Sequence, residues 1–452
     1  YAQRVRGERL GDEEFHLRTV GQRIEVYGGR LRGAMYGCYA LLDDVLGCRW
    51  FTPSIARIPK QPTLVIGPLD LREKPAFEYR EPYWTEAFDG DWAARNRTNG
   101  NSQRLGPNEG GRVVYGRFVH TFAELVPPAQ YFASHPEYFP LISGNRQDGY
   151  HQLCLTNPDV LRIATEGVRR WIRENPEATI FSVSQNDTGG WCECDACQAV
   201  VKDEGALSGL LLRFVNAIAE AVEKERPGVL IDTLAYQATE APPKITRPRG
   251  NVRIRIAPIG ACVAHPLEAC PENAAILDNL RAWSRVTSQL YIWHYATNFA
   301  GYLQPLPNLD SIPADLALFR KLGVVGVFFQ GGYAPGGGAA MAELKAYLMA
   351  RLMWNPSRPA TPIIQEFLDG VYGNAAPHVR RWIDLLHRPC RQEGVHARIY
   401  DAPSAAYLNA AVFQEGERLL DEAARSVSGD RVALEQVEKA RLWLDVVRLS
   451  RL

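Results

Sequence analysis

Apolar and polar residues alternate twice near the start of the chain, over Phe15–Thr19 and Arg23–Tyr27. A period of two puts every second side chain on one face of a strand, so a hairpin is predicted there. Gly28-Gly29 breaks the run, and Leu31–Leu46 takes up helical spacing with Ala34, Cys38, Leu41, Leu42 and Val45 on one face. Gly47 stops that helix and Leu64–Leu71 adds a strand, which makes residues 1–72 a small α/β domain. From about residue 75, strand-like and helix-like runs alternate. The predicted strands are Phe77–Tyr83, Gly116–Thr121, His151–Leu155, Thr179–Ser184, Leu230–Tyr236, Val252–Pro258, Leu290–Tyr295 and Val324–Phe329. The predicted helices between the later ones are Asp159–Glu174, Ser208–Arg226, Glu272–Trp283 and Asp310–Leu322. This alternation predicts an α/β fold, a (β/α)8 TIM-like barrel over residues 73–360. An open doubly wound sheet competes with it, but no glycine-rich phosphate loop follows a first strand. Residues 85–115, rich in Gly, Asn and Arg, read as a long loop. Gly331-Gly332 and Gly336-Gly337-Gly338 offer a weak anion cradle, without the Lys-Ser/Thr of a phosphate loop. Helical patterns over Ala342–Trp354, Pro362–Tyr372, Pro377–His387, Ala405–Ser426 and Asp430–Leu449 follow, so residues 361–452 form a C-terminal helical region.

At 452 residues the chain can hold two or three domains, each with its own core. Lys+Arg and Asp+Glu both number 51, and the absence of a basic balance argues against a dedicated nucleic-acid binder. No apolar run reaches the length of a membrane-spanning helix. No signal peptide is visible, yet the chain begins mid-pattern at Tyr1, and a secreted or periplasmic protein with its leader removed is expected, with a cytoplasmic one as the alternative. The nine cysteines include Cys192, Cys194 and Cys197 in the spacing C-x-C-x2-C. Zinc there needs a fourth ligand, for which Asp195, Cys154 and a distant histidine stay open. A disulfide or buried thiols are the simpler readings, and no metal or cofactor is expected. Cys262 and Cys270 flank a short loop and would pair in an oxidising compartment.

The chemistry gathers where strands end. Ala178 to Ser184 is an apolar strand that opens into Gln185, Asn186 and Asp187, followed by Gly189-Gly190 and Trp191. Barrel strands deliver catalytic groups at their C-terminal ends, and Asp187 is the candidate general acid/base, its pKa expected to rise through burial by Trp191. The bland alternative is that it caps its own turn. Other strand ends supply Arg80, His120, Tyr236, Gln237, Glu240, His265, Trp293, His294, Tyr295, Asn298 and Gln330. Aromatic faces with amides and carboxylates suit a carbohydrate. The predicted subsite comprises Asn186, Trp191, Tyr236, Gln237, His265, His294, Tyr295, Asn298, Gln330 and Arg80, with Glu240 as the reserve catalytic carboxylate. Each has a structural alternative: the histidines as hydrogen-bonded scaffold, Trp293 and Tyr295 as core, Glu240 as a solvated residue before Pro242-Pro243. His120, His265 and His294 with Asp187 also offer a catalytic metal site, which no HxH or HExxH spacing supports.

The segments YGCYALLDDVLGCRWFTP, HPEYFPLISGNR, QLCLTNPDV, SVSQNDTGGWCECDAC, LAYQATEAPPK, YIWHYATNFAGYLQPLPNL and ELKAYLMARLMWNP resemble glycoside hydrolase family 163. These are endo-acting β-N-acetylglucosaminidases of N-glycans from a bacterial group long described only as a domain of unknown function. The resemblance covers roughly residues 30–390. It implies a hexosaminidase-like N-terminal domain, a catalytic barrel and retention assisted by the substrate's own 2-acetamido group. Asn186-Asp187 falls where related hexosaminidases place an acidic pair, with Asn186 and Tyr236 holding the acetamide. The chain departs from many relatives in the segments of Gly260 and Phe329, where they carry Glu. A β-N-acetylglucosaminidase is therefore expected, with a carbohydrate-binding pseudoenzyme and a metal-dependent hydrolase as alternatives.

Overall fold

The computed structural model describes residues 9–452, so the first eight residues of the predicted N-terminal domain lie outside the described residues. Strands Arg23–Gly28, Phe15–Val20 and Asp70–Glu73 form an antiparallel sheet in that order. The helix against it runs over Gly33–Ala40 and widens into one π turn at Leu41–Val45. Its buried face is Gly33, Tyr36, Gly37 and Ala40, not the predicted one. Gly37 explains the rotation: a Cβ there would meet Val26 Cγ1 at 2.5 Å, so the helix meets the sheet through its small residues. Phe15 and Tyr36 pack on Trp354, at ring distances of 6.0 and 5.4 Å.

The central sheet has seven parallel strands in the order Tyr79–Tyr83, Gly326–Gln330, Leu290–Tyr295, Val252–Ile256, Leu230–Ala235, Ile180–Ser182 and Tyr115–Arg117. The first strand in sequence lies beside the last, as in a barrel, but no ladder joins Tyr79–Tyr83 to Tyr115–Arg117. The predicted closed eight-stranded barrel is therefore wrong: the α/β fold is an open half-barrel of seven strands.

Two local causes account for the difference. His151–Leu155 is irregular because its polar groups are bonded elsewhere. The His151 carbonyl accepts from Asn186 Nδ2 at 2.7 Å, Gln152 Nε2 donates to the Asn186 and Thr188 carbonyls at 3.0 and 2.7 Å, and Cys154 N donates to the Tyr138 carbonyl at 2.9 Å. In the seam, the buried loop residue Asn99 accepts from Arg80 N at 2.9 Å and donates to the Glu78 carbonyl at 2.8 Å, while Asn101 Oδ1 accepts from Tyr115 N at 2.9 Å. Side chains replace the missing ladder.

Helices Pro158–Glu174, Leu207–Glu225, Ala274–Ser284 and Ser311–Lys321 cover the outside. The first is launched by Asn157, whose side chain accepts from Asp159 N and Val160 N, with Pro158 at the first helical position. Ala342–Trp354 is buried nearly all round, between the N-terminal sheet, the half-barrel and the terminal helices. Its Arg351 binds Asp43, which Arg49 and Arg97 also contact at 2.9 and 3.3 Å. Burial pushes the Asp43 carboxyl up, but Arg351, Arg97 and Arg49 outweigh it and hold it below the usual range. Helices Ala360–Tyr372, Ala376–Gln392, Ala410–Ser426 and Arg431–Leu449 complete the C-terminal layer.

Candidate active site

Alternation decides what the half-barrel shows to its interior. Along Leu290–Tyr295, Tyr291, Trp293 and Tyr295 face inward and His294 outward. On the neighbouring strand Phe328 and Gln330 face inward, with Trp293 and Phe328 ring centres 4.7 Å apart. Tyr79, Tyr115, Ile180, Tyr291 and Phe328 fill the lower interior. Above them the buried ion pair Arg255–Asp232 closes at 2.6 Å, its guanidinium 5.1 Å from the Trp293 ring.

At the C-terminal ends of the strands a cavity of about 320 Å³ opens, the lower end of ordinary ligand pockets. It is lined by His120, Asp187, Leu234, Tyr236, Ala257, Ile259, Trp293, Tyr295, Phe299, Gln330, Tyr333 and Tyr400. A larger cavity of about 440 Å³ lies beside Gly336–Gly338 and the terminal helices, away from the other strand ends. The glycine loop there already holds a carboxylate, because Gly338 N donates to Glu86 Oε1.

Asp187 stands exposed at the mouth, so the expected burial under Trp191 is not found; Trp191 is half-buried and outside the cavity. The Tyr236 hydroxyl donates to Asp187 Oδ1 at 3.0 Å and accepts from Gln237 Nε2 at 2.9 Å. Burial, then the Asp187 charge, pushes the Tyr236 phenol up, which keeps it a protonated donor. Burial likewise raises the Tyr295 phenol. Trp293 Nε1 donates to Gln330 Oε1 at 2.7 Å, which fixes both side chains on one wall. His120 Nδ1 bonds the Gln185 carbonyl at 2.8 Å, leaving its other ring nitrogen for the cavity.

Of the predicted site residues, Asp187, Tyr236, Tyr295 and Gln330 line the cavity, and Gln237 joins through Tyr236. The rest do not. Asn186 is buried with its side chain spent: Oδ1 accepts from Ala123 N at 3.1 Å and Nδ2 holds the His151 carbonyl. It positions the Asp187 turn and, buried outside the cavity lining, does not reach an acetamide there. His294 faces outward, 3.2 Å from Asp315 and against Phe319. Phe329 faces outward beside it. His265 bonds the Cys390 carbonyl at 2.9 Å in a separate loop. The three histidines therefore do not converge on Asp187 as a metal site.

Arg80 is buried against Glu13 at 2.8 Å, facing the N-terminal sheet. Asn298 donates to the Asp401 carbonyl at 2.8 Å and accepts from Ala300 N, so it braces a loop. Glu240 lies beyond the cavity; burial pushes its carboxyl up, and Trp283 Nε1 donates to its backbone carbonyl. Trp293, Phe299 and Tyr400 enter the cavity without having been assigned to the site. Alternation marks Trp293 with Tyr295, whereas Tyr400 arrives from the C-terminal region, carried by Phe299 N bonding the Ile399 carbonyl at 2.6 Å.

The family model described as "Domain of unknown function (DUF4838)" matches residues 50–384. The chain belongs to this family. No curated protein matches it. Among solved structures, the family 89 glycoside hydrolase from Clostridium perfringens in complex with 2-acetamido-1,2-dideoxynojirmycin matches this DUF4838 chain with a TM-score of 0.56 at 10% identity, over 96% of this chain and 57% of that one. A variant from the same organism, in complex with GlcNAc-alpha-1,4-galactose, described as its substrate, gives 0.52 at 10% identity over 96% and 56%. CpGH84B gives 0.47 at 10% identity over 98% and 77%. Identities this low make the likeness one of fold: an α/β architecture shared with glycoside hydrolases, in a chain spanning little more than half of the family 89 chain.

Proposed function

We propose that this DUF4838 chain is a glycoside hydrolase acting on a β-linked N-acetylglucosamine, of the N-glycan type that the family 163 resemblance implies. The carrying observation is that Asp187, hydrogen-bonded by Tyr236, is the lone carboxylate among the described residues lining an aromatic-walled cavity. Two-carboxylate glycosidases need a second acid about 5–9.5 Å away, across the glycosidic bond. Glu240 lies outside the cavity, and Glu81 is buried with its oxygens taken by Tyr79 and by Asn101 N and Ser102 N.

One carboxyl suffices when the substrate's acetamide does the work of the nucleophile. The acetamide oxygen attacks the anomeric carbon while the Asp187 carboxyl gives its proton to the departing oxygen. The resulting carboxylate then takes a proton from the water that opens the oxazolinium ion, so one residue serves both steps. The Tyr236 phenol orients the carboxyl, Trp293 and Tyr295 offer apolar faces to the sugar ring, and Gln330 and His120 offer hydrogen bonds to its hydroxyls.

A second reading, a carbohydrate-binding protein without turnover, is favoured by the exposure of Asp187, which leaves nothing to desolvate its carboxyl. The test measures turnover of aryl α- and β-N-acetylglucosaminides and a complex N-glycan by wild type and Asp187→Asn, with a thiazoline inhibitor. Cleavage of the β-linked substrates, blocked by the thiazoline and lost in the variant, is expected. Glycan binding without cleavage overturns the hydrolase reading in favour of the binder.

A further inference from the structure

Two clusters of cysteine and histidine lie outside the cavity, and we propose that each holds a structural zinc ion. The first is Cys154, Cys192, Cys194 and Cys197, whose sulfurs all lie within 4.8 Å of one another. The fourth ligand that C-x-C-x2-C lacks in sequence is thus Cys154, from the irregular segment before helix Pro158–Glu174. Zn–S bonds of about 2.3 Å at tetrahedral angles require S···S separations of about 3.8 Å. Cys154 Sγ stands 3.7 Å from Cys194 Sγ and 3.9 Å from Cys197 Sγ, far longer than a disulfide of about 2.05 Å.

Donors also point at the sulfurs, as thiolates require. Leu141 N and Arg146 Nη1 reach Cys192 Sγ at 3.4 and 3.7 Å, and Thr156 Oγ1 reaches Cys197 Sγ at 3.2 Å. Cys154, Cys192 and Cys197 are buried. An ion here staples the His151–Thr156 segment to Trp191–Cys197 and so closes the loop that carries Asn186 and Asp187.

The second cluster is Cys262, His265, Cys270 and His396, again within 4.8 Å. Zn–S and Zn–N bonds of about 2.3 and 2.05 Å predict S···N separations of about 3.6 Å. Cys262 Sγ lies 3.4 Å from His265 Nδ1 and 3.4 Å from His396 Nδ1, and Cys270 Sγ lies 3.6 Å from His396 Nδ1. An independent observation supports it: the far nitrogen of each ring is held. His265 Nε2 meets the Cys390 carbonyl at 2.9 Å and His396 Nε2 meets Glu272 Oε1 at 3.4 Å. Carbonyl or carboxylate partners of this kind set the tautomer and direction of metal-binding imidazoles. This ion ties the loop after strand Val252–Ile256 to the segment that brings Tyr400 over the cavity, alongside the bond from Val263 N to the Ala397 carbonyl at 2.9 Å. Neither site depends on what the cavity binds.

The test is elemental analysis of the full chain, purified without added metal or chelator, with zinc also counted by release to a chromogenic chelator after thiol blocking. Two zinc ions per chain are expected. Cys194→Ser and His396→Gln should each halve the content, and the double variant should empty it. Cobalt substitution of the wild type covers variants that fail to fold: intense tetrahedral bands with thiolate charge transfer are expected. No zinc in the isolated chain and none taken up after reduction would overturn both sites. A single ion untouched by His396→Gln would overturn the second, and one untouched by Cys194→Ser the first.

Discussion

Asp187→Asn separates three roles that one carboxylate at the cavity mouth can play. The replacement is isosteric, and the Asn amide oxygen still accepts from Tyr236 Oη at the 3.0 Å seen for the carboxylate. The turn itself is held by Asn186 and Gln152, not by Asp187. Folding stability should therefore change by less than about 0.5 kcal/mol, as for an exposed site. A positioned general acid/base contributes about 10²–10⁴-fold, or roughly 3–5 kcal/mol of barrier. Asp187 is exposed, so the expectation is the lower end, about 10²–10³-fold in kcat on a complex glycan.

Leaving-group dependence identifies the role. A dinitrophenyl glycoside departs without a proton, so Asp187→Asn should lower its kcat/KM, which reports the departure step, less than about tenfold. The assay compares kcat/KM for dinitrophenyl, nitrophenyl and sugar leaving groups in both proteins. Equal losses on all three would refute the general-acid reasoning and make Asp187 an acetamide-orienting group. No loss on any would remove it from the reaction.

Glu240→Gln should leave kcat within about threefold, since Glu240 does not line the cavity; a loss as large as that of Asp187→Asn would refute the single-carboxylate site. Asp43→Asn should cost about 3–5 kcal/mol in urea denaturation, because it strands Arg351 beside a buried neutral group, while Arg97 and Arg49 keep Asp44 and Glu366; a loss under about 1 kcal/mol would refute that. Burial pushes His387 down to about 4, against the opposing pull of Asp310, and its Nε2 accepts from Leu309 N at 3.1 Å. The unfolded chain, with a histidine pKa near 6.5, binds the extra proton between those values. Stability from this residue is thus full above pH 6.5 and falls by up to roughly 3 kcal/mol as pH drops towards 4. The difference in denaturation midpoint between wild type and His387→Gln should shrink over that window; a constant difference would refute the assignment.

Local patterns settled much of this protein from sequence alone. Strand-like runs located the seven parallel strands, and helical runs placed their helices within a few residues, because burial is written into the spacing of apolar residues. The opening of Ala178–Ser184 into Asp187 also marked the residue at the cavity mouth. Alternation along Leu290–Tyr295 already contained the answer for His294, since a residue between two inward aromatics must face outward. Tertiary structure alone decided the rest. His151–Leu155 has the composition of a strand, yet Asn186 and Tyr138 capture its backbone groups, a competition between partners distant in sequence. Barrel closure failed because Asn99 and Asn101 bridge the seam. Cys154 joined Cys192, Cys194 and Cys197, and His396 met Cys262, across separations that no spacing rule encodes. Tyr400 reached the cavity from the C-terminal region for the same reason: a side chain's partners depend on which surfaces fold together, and a linear pattern records only its neighbours in sequence.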